Sequence, residues 1–210
     1  MEFSGTRKLI FDASIRLFAS KGYEEVSIRD IADAVGIKPA SIYNHFTSKD
    51  EILETIYQYY KEGRLNNRSN EDKLKYVIQT GNAREVVDAL NDSAFEFDEE
   101  TSVRLILTMK IMLMRMYMDH RVNDFFLHDM YKTDMAYMRK WLSYAQDIGR
   151  LDKEFDIDTF SSLFWKQLMM MGIWAFADPD YQVRQLDEEF QLVEMFSRIL
   201  PLKDPVGGLK

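Results

Sequence analysis

The sequence predicts an all-α protein of about nine helices. Apolar residues recur at helical spacing almost throughout its 210 residues, no stretch alternates as a strand does, and only four prolines and nine glycines occur. We expect a three-helix N-terminal domain at 1–47 that contains a helix-turn-helix, a larger helical domain at 48–200 and a flexible tail at 201–210.

The composition excludes several classes of protein. Apolar residues make up 46% of the chain, so a hydrophobic core is possible, and the lack of cysteine excludes a disulfide scaffold and a thiolate metal site. The N-terminus has no apolar segment of the kind found in signal peptides, and the longest apolar run, 168–177, is shorter than the roughly 20 residues that span a bilayer. We therefore expect a soluble, cytoplasmic protein with no membrane segment.

The net charge is unevenly distributed along the chain. The whole sequence carries −8, whereas residues 1–50 hold seven Lys/Arg and seven Asp/Glu and are neutral. An acidic body repels nucleic acid, so any binding of DNA is left to the neutral N-terminal part.

Local signals define the first three helices. The first helix is expected at about 6–21, and a cap of the form S-x-x-D, made by Ser27 and Asp30, starts the second. Gly36 suits the turn, and Pro39 suits the first position of a short third helix. The apolar face of the first helix consists of Leu9, Ile10, Ala13, Leu17 and Phe18.

The remaining helices follow from capping and periodicity. A second cap, formed by Ser48 and Glu51, starts a long helix that runs to about residue 63. The polar stretch 64–82 is expected to contain one short helix between loops. Helical patterns then follow at about 83–92, 100–118, 122–148, 157–177 and 183–200.

The stretch 34–49 contains no Asp or Glu and joins two short helices through a tight turn. A helix that enters the major groove of DNA packs one face on a partner helix and presents short polar side chains on the other. Ile37, Ile42 and Phe46 are placed to pack inward. The side chains that remain outside are Lys38, Ala40, Ser41, Tyr43, Asn44 and His45.

The chemistry of these outer side chains suits DNA. The two lysines of the stretch supply positive charge, Tyr43 can donate to a phosphate, and Asn44 can pair with adenine. Ser27 and Arg29, at the start of the preceding helix, can hold a backbone phosphate. The alternative is an ordinary corner between two helices, in which a buried tyrosine and solvated lysines give a similar pattern.

The segment 22–53 closely resembles the DNA-binding domain of the TetR family of transcriptional regulators. In that family a helix ending in Gly-Tyr or Gly-Phe is followed by Thr or Ser, an Ile-Ala core with a turn glycine, Tyr-x-His-Phe and then Ser-Lys-x-x-Leu. The matching residues are Gly22, Tyr23, Ser27, Ile31, Ala32, Gly36, Ile37, Tyr43, His45, Phe46, Ser48, Lys49 and Leu53. Val35 and the stretch 38–40 depart from the usual residues, so the resemblance does not define the operator sequence.

This resemblance implies an all-α regulator that binds a palindromic double-stranded DNA operator as a homodimer. Such proteins usually repress transcription and release DNA when a small ligand enters the larger domain. On that pattern Tyr43, His45 and Lys49 hold phosphates. The residues expected against the bases are Lys38, Pro39, Ala40, Ser41 and Asn44.

The helices at 157–177 and 183–200 are candidates for the dimer interface. The turn GRLDKEFDIDTF before the first of them resembles the turn that precedes the eighth helix of TetR-like proteins, whose last two helices pair with their copies. The residues assigned to this interface are Phe160, Phe164, Met171, Phe190, Val193 and Phe196. The alternative is that both apolar stripes belong to the core of a single chain.

The helix at 100–118 contains five methionines, which adapt to varied apolar surfaces. We hypothesise a cavity for an unidentified small apolar effector between this helix and its neighbours. The alternative is an ordinary buried helix. The candidate lining consists of Tyr57, Tyr60, Met112, Met116, Phe125, Tyr137, Trp165 and Met169.

A DNA-binding protein of the same fold that is controlled by a protein partner is the alternative to ligand control. Enzymatic activity is not expected, because the sequence has no Ser/His/Asp elbow, no glycine-rich phosphate loop and no paired-aspartate motif. His120 and His128 are eight residues apart, which does not suit a metal, and no cofactor is expected.

Overall fold

The computed structural model describes residues 4–66, 71–92, 99–177 and 191–205, and within these ranges the fold is entirely helical, as predicted. A π-helical segment, Phe125–Met130, joins the eighth helix to the ninth. The helices are α1 (Gly5–Lys21), α2 (Ile28–Val35), α3 (Pro39–Ile42), α4 (Lys49–Asn66), α5 (Glu71–Thr80), α6 (Ala83–Asp92), α7 (Glu99–Arg115), α8 (His120–Asp124), α9 (Tyr131–Asp147), α10 (Ile157–Ala177) and α11 (191–199).

The observed helix bounds agree closely with the predicted ones, and those of α6 and α10 coincide with them. The predicted helix at 122–148 is interrupted by the π-helical segment, where the backbone hydrogen bonds skip one further residue. The helix predicted at 183–200 is described from residue 191 onward, and its beginning lies outside the described residues. No helix within the described ranges is both long and apolar enough to cross a bilayer.

The chain divides into two compact units. The first contains α1–α4 together with α7, and the second contains α5, α6, α9, α10 and α11. The three N-terminal helices therefore pack in the same unit as a helix that follows them by more than fifty residues. The sequence-based domain boundaries at 47 and 200 remain a proposal about function.

Helix α1 buries Ile10, Ala13 and Phe18 as predicted, but its buried face is wider than the predicted one. Phe11 and Ile15 are each 1% exposed, whereas Leu9, which we expected to face inward, is 55% exposed. The expectation for Leu9 is wrong. Helix α1 packs against α2, α4 and α7, so a wide part of its circumference is buried, and Leu9 lies outside that part.

A buried carboxylate lies where α1 packs against α7. Asp12 is 9% exposed, and Arg104 of α7 donates to its two oxygens at 2.7 and 3.2 Å, while Lys8 donates at 3.0 Å. Burial raises the pKa of Asp12, but these hydrogen bonds outweigh it and the pKa lies below its ordinary value of 3.8. The stability that the carboxylate contributes is therefore present above pH 3.8 and is lost as the pH falls through the lowered pKa.

The second unit has one apolar core to which all five of its helices contribute. Aromatic rings lie at its centre: Phe196 of α11 meets Phe164 edge-on with ring centroids 4.9 Å apart, and meets Phe160 at 5.4 Å. Such edge-to-face pairs add to the stabilisation that burial alone provides.

The residues that we assigned to the dimer interface belong to this core. The described members of that set are Phe160, Phe164, Met171, Val193 and Phe196, and each is at most 9% exposed. The structure corrects the assignment, because these side chains face their own chain and leave little surface for a second copy. Phe190 lies outside the described residues.

Arg150, in the turn between α9 and α10, is the largest fully buried side chain among the described residues, with 1% exposed. Its guanidinium donates to three backbone carbonyls, those of Ile78, Gly81 and Lys203. Burial lowers its pKa. Since the Lys203 amide also donates to the Arg150 carbonyl at 2.7 Å, the first residues of the predicted flexible tail are tied to the core.

We expect Arg150→Met to lower the free energy of unfolding by about 3 kcal/mol, because each buried carbonyl that loses its donor costs roughly 1–3 kcal/mol. Urea denaturation measures this change. Arg139→Met is the matched control: Arg139 is exposed and pairs with Asp158, so its loss should cost at most about 1 kcal/mol. Equal destabilisation by the two variants would contradict the role given to Arg150.

Candidate nucleic-acid interface

The start of α2 is fixed by a capping box formed by Ser27 and Asp30. The Ser27 hydroxyl accepts from the Asp30 amide at 3.2 Å, and the Asp30 carboxylate accepts from the Ser27 amide at 2.7 Å. Two otherwise unpaired amides at the helix end are thereby satisfied. The predicted cap is confirmed, and it sets the direction in which α2 leaves the preceding turn.

The turn between α2 and α3 depends on Gly36, which has φ of 77° and ψ of 33°. This left-handed conformation carries a steric penalty for most residues other than glycine. The amide of Ile37 donates back to the carbonyl of Ala32 at 3.0 Å, which closes α2. Pro39 then occupies the first position of α3, as predicted.

Helix α3 has only four residues and continues as a turn that ends at Phe46. Ile42 and Phe46 are 0% and 1% exposed, and they anchor the segment to the rest of the first unit. The guanidinium carbon of Arg7 lies 4.7 Å from the centroid of the Phe46 ring. Because both anchors point inward, the residues between and before them are turned outward.

The structure places most of the predicted DNA-binding side chains on the surface. Tyr43 is 55% exposed, which excludes the alternative of a buried tyrosine in an ordinary helical corner. The exposed members of the set are Ser27, Arg29, Lys38, Pro39, Ala40, Tyr43 and Asn44, and the half-buried members are Ser41, His45 and Lys49. Their contacts with DNA remain a proposal.

The two carboxylates that flank this surface are held at helix starts. Hydrogen bonds from the Ser27 hydroxyl and amide lower the pKa of Asp30. At α4, the hydroxyl and amide of Thr47 lower the pKa of Glu51, and the Glu51 amide donates to the Ser48 hydroxyl at 3.0 Å. Both acids thus serve as caps, and between them only Asp33 and Asp50 carry a negative charge.

Lys49 differs from the other predicted phosphate contacts, because its ammonium is engaged within the protein. Its Nζ donates to the carbonyls of Tyr23 and Val26, each at 2.9 Å, and lies 4.1 Å from the centroid of the Tyr23 ring. An ammonium has three N–H groups, so two of them are committed to the turn between α1 and α2.

The residues proposed to line an effector cavity are divided between the two units. Tyr57, Tyr60, Met112 and Met116 lie in the first unit, and Phe125, Tyr137, Trp165 and Met169 lie in the second. Tyr57 and Met112 are at most 1% exposed, and the Tyr57 hydroxyl donates to Asp119 at 3.4 Å. The Trp165 indole donates to Asp134 at 2.8 Å. The lining therefore stays a prediction.

A groove of about 310 Å³ lies within the first unit, between α1 and α7. None of the predicted lining residues borders it. Four of its seven lining side chains carry a charge, although apolar atoms supply most of the lining surface. The residues that line it are Asp12, Ile15, Arg16, Glu100, Val103, Arg104 and Leu107.

Sequence reasoning missed the charged residues that join α7 to the N-terminal helices. Arg115 lies at the end of α7, and its Nη1 is 2.8 Å from the Glu24 carboxylate. Asp119 is 6% exposed and accepts from Arg121 Nη2 at 2.7 Å. The sequence does show Arg115 as a charged residue within the apolar stretch TMKIMLMRMYMD, which suggests that it has a partner. That partner, Glu24, lies more than ninety positions away and cannot be identified from the stretch itself.

Comparison with known proteins agrees with this geometry. Residues 10–60 match the model of the TetR family of bacterial regulatory proteins. The transcriptional repressor KstR2 of Rhodococcus jostii is 31% identical over 94 residues, which cover 44% of this chain and 43% of KstR2. IcaR, the negative regulator of the biofilm operon icaADBC in Staphylococcus aureus, is 38% identical over 99 residues, or 46% of this chain and 48% of IcaR.

The matches span about half the length of these curated relatives. Among solved structures, a transcriptional regulator from Saccharomonospora viridis in complex with choline has a TM-score of 0.66 and 18% identity, and the similarity covers 94% of this chain and 97% of that one. At this identity the similarity concerns the fold. The fold and the N-terminal surface define a helix-turn-helix protein of the regulator class.

Over residues 10–60 the chain matches the N-terminal domain of the TetR family, and the curated repressors KstR2 and IcaR resemble it over a little less than half of its length. This is a family of transcriptional regulators that bind DNA and are not enzymes, and repressors occur among the relatives. The resemblance found in the sequence is therefore confirmed.

Tyr43 and Asn44 are adjacent and exposed, and they should affect DNA binding in different ways. Tyr43→Phe removes only the hydroxyl, so we expect binding to all DNA sequences to weaken by about two- to tenfold, as for one lost hydrogen bond.

Asn44→Ala should relax the preference at one base pair by up to about 1–3 kcal/mol. Binding assays on a set of single-base operator variants measure both effects, and a base-specific loss for Tyr43→Phe would contradict the assignment.

Proposed function

We propose that this protein is a transcriptional repressor that binds a palindromic operator as a homodimer and releases it when a small, largely apolar ligand binds. The recognition segment is α3 with the turn that follows it. Lys38, Pro39, Ala40, Ser41 and Asn44 are proposed to lie against the bases. Ser27, Arg29, Tyr43 and His45 are proposed to contact the backbone phosphates.

The observation that carries this proposal is the outward orientation of the acid-free segment. Ile42 and Phe46 are buried, and Tyr43 and Asn44 between them are exposed. A helix that reads the major groove requires this division between an anchored face and a polar face. The acidic body, which carries the whole net charge of −8, discourages other parts of the chain from approaching DNA.

Selection of bound duplexes from a random pool tests the proposal. We expect a palindromic site whose affinity falls with salt, with a slope in log K against log[salt] of about −0.9 for each phosphate contacted. Lys38→Ala should reduce the affinity for the selected site, whereas Lys153→Ala, which removes an exposed lysine far along the chain, should not. Recovery of no preferred sequence would contradict the proposal.

A second apolar surface in the second unit supports the homodimer. Leu163, Met170 and Ile173 of α10 are 53%, 48% and 41% exposed, although Phe164 and Met171 of the same helix are buried in the core. Met195 and Ile199 of α11 are 45% and 51% exposed. A two-fold dimer buries the same patch of both copies, so this surface is a suitable interface.

We expect Leu163→Glu to convert the dimer to a monomer, because it places a charge in the centre of an apolar interface. The monomer should lose affinity for the complete operator, since recognition helices about 34–36 Å apart must enter successive major grooves together. Sedimentation velocity measures the mass of the particle. Leu127→Glu is the matched control at 55% exposure, and equal behaviour of the two variants would contradict the interface.

Control by a small ligand is the favoured form of regulation because the fold holds a small molecule in the choline complex of the Saccharomonospora viridis protein. The proposed lining keeps the methionine and aromatic side chains that the sequence predicts. The alternative is control by a protein partner. A small apolar molecule that raises the melting temperature and abolishes operator binding favours the first form, and a screen without such a molecule favours the second.

A further inference from the structure

The ring of Tyr23, in the turn between α1 and α2, is contacted by two cations from distant parts of the first unit. Lys49 Nζ at the start of α4 lies 4.1 Å from the ring centroid, and the guanidinium carbon of Arg115 at the end of α7 lies 4.5 Å from it. Each distance is within the range in which a cation is attracted to an aromatic face.

The two cations are held at the ring by further contacts. Lys49 donates to the carbonyls of Tyr23 and Val26, so its ammonium closes the turn. Arg115 has only 15% of its side chain exposed and pairs with Glu24, the residue after Tyr23, at 2.8 Å. Two like charges are thus tolerated at one ring because carbonyl and carboxylate oxygens stand beside them.

A second set of contacts joins α8, which follows α7, to the first turns of α4. Arg121 donates to Asp119 at 2.7 Å, and it also lies 2.9 Å from Glu54 and 3.4 Å from Asp50 of α4. The hydrogen bond from Arg121 lowers the pKa of Asp119, so the carboxylate is ionised at neutral pH. The start of α4 is therefore held at two places, by α7 through Tyr23 and by α8 through Arg121.

This arrangement bears on DNA binding because α4 begins three residues after Phe46, where the recognition segment ends. Lys49 is the first residue of α4, so its contacts with the turn at Tyr23 set the direction of α4 relative to the recognition segment. A movement of the end of α7 would act on that position through the ring.

We propose that Arg115 is a positioning residue for DNA binding, which acts through Tyr23 on Lys49, and that Lys49 positions the recognition segment instead of binding a phosphate. The inference rests on the proposed function as a DNA-binding protein. It assigns to Lys49 a different role from the one that the family resemblance implies.

Operator affinity and its salt dependence, measured on the full chain, distinguish positioning from phosphate contact. Arg115→Met and Lys49→Met should each weaken operator binding by about two- to thirtyfold, the range that corresponds to one cation–π contact. The slope of log K against log[salt] should not change for either variant, because no phosphate contact is lost. Arg29→Ala, which removes a proposed phosphate contact, should make the slope less negative.

Controls separate this effect from a loss of stability. Binding is measured at a temperature at which circular dichroism shows each variant to be fully folded. Lys110→Met removes another cation of α7 and should leave the affinity unchanged. Arg115→Lys retains a cation near the ring and should recover part of the lost affinity.

A double-mutant cycle tests the route through the ring. In a Tyr23→Leu background, Arg115→Met should cost less affinity than it does in the wild type, because the ring through which it acts is gone. If Tyr23→Leu does not fold, the cycle between Lys49→Met and Arg115→Met replaces it, and their effects should be less than additive.

Three outcomes would overturn the inference. The first is wild-type operator affinity of folded Arg115→Met, and the second is additivity of the two substitutions in the cycle. The third is a salt slope that becomes less negative by about 0.9 or more in Lys49→Met, which would make Lys49 a phosphate contact. The absence of operator binding by the wild-type protein is a different result, and it would contradict the proposed function itself.

Discussion

The burial of Ile42 and Phe46 is the constraint on which the candidate DNA-binding surface depends. Helix α3 has four residues, far fewer than the roughly 12–15 that an isolated helix needs in water, so its own hydrogen bonds cannot maintain it. Its conformation is imposed by the two anchors, by the left-handed turn at Gly36 and by the fixed φ of Pro39. The exposure of Tyr43 and Asn44 is a consequence of this anchoring, since side chains between two inward-facing positions one turn apart are turned outward.

Charged residues determine how the N-terminal helices pack against α7. The contact between α1 and α7 contains the carboxylate of Asp12 with the forked guanidinium of Arg104, and the far end of α7 contains Arg115 at the Tyr23 ring. Buried pairs of this kind contribute little net stability, because each charge loses its hydration, but a pair that loses one partner is costly. Such pairs therefore select one register of α7 on α1 and α4, which apolar contacts alone would define less sharply.

Most of the helices and most of the DNA-binding surface could be predicted from local sequence patterns. Contacts between residues that are distant in the sequence could not. The cap at Ser27 and the turn at Gly36 involve neighbours within five residues, and the structure has both as the sequence predicted. The partners of Arg115 and Arg104 lie about ninety residues away, and no local pattern identifies them. The error on α10 has another cause: this helix has two apolar stripes, and the sequence cannot tell which of them faces the core. The aromatic stripe with Phe164 proved to be internal, and the one with Leu163 is external.

The packing of α7 in the same unit as α1–α4 also limits how an effector could act on the proposed operator binding. A ligand shifts an equilibrium between two conformations only by the difference between its affinities for them. If that difference reaches the recognition segment through the contacts of Arg115 and Arg121, their interaction energies limit how much of it is transmitted. A cation–π contact contributes about 0.5–2 kcal/mol, and allosteric coupling free energies are typically about 1–3 kcal/mol. The interaction free energies of the few contacts at the end of α7 are therefore large enough to couple effector binding to operator binding. A large rearrangement of the core is not required.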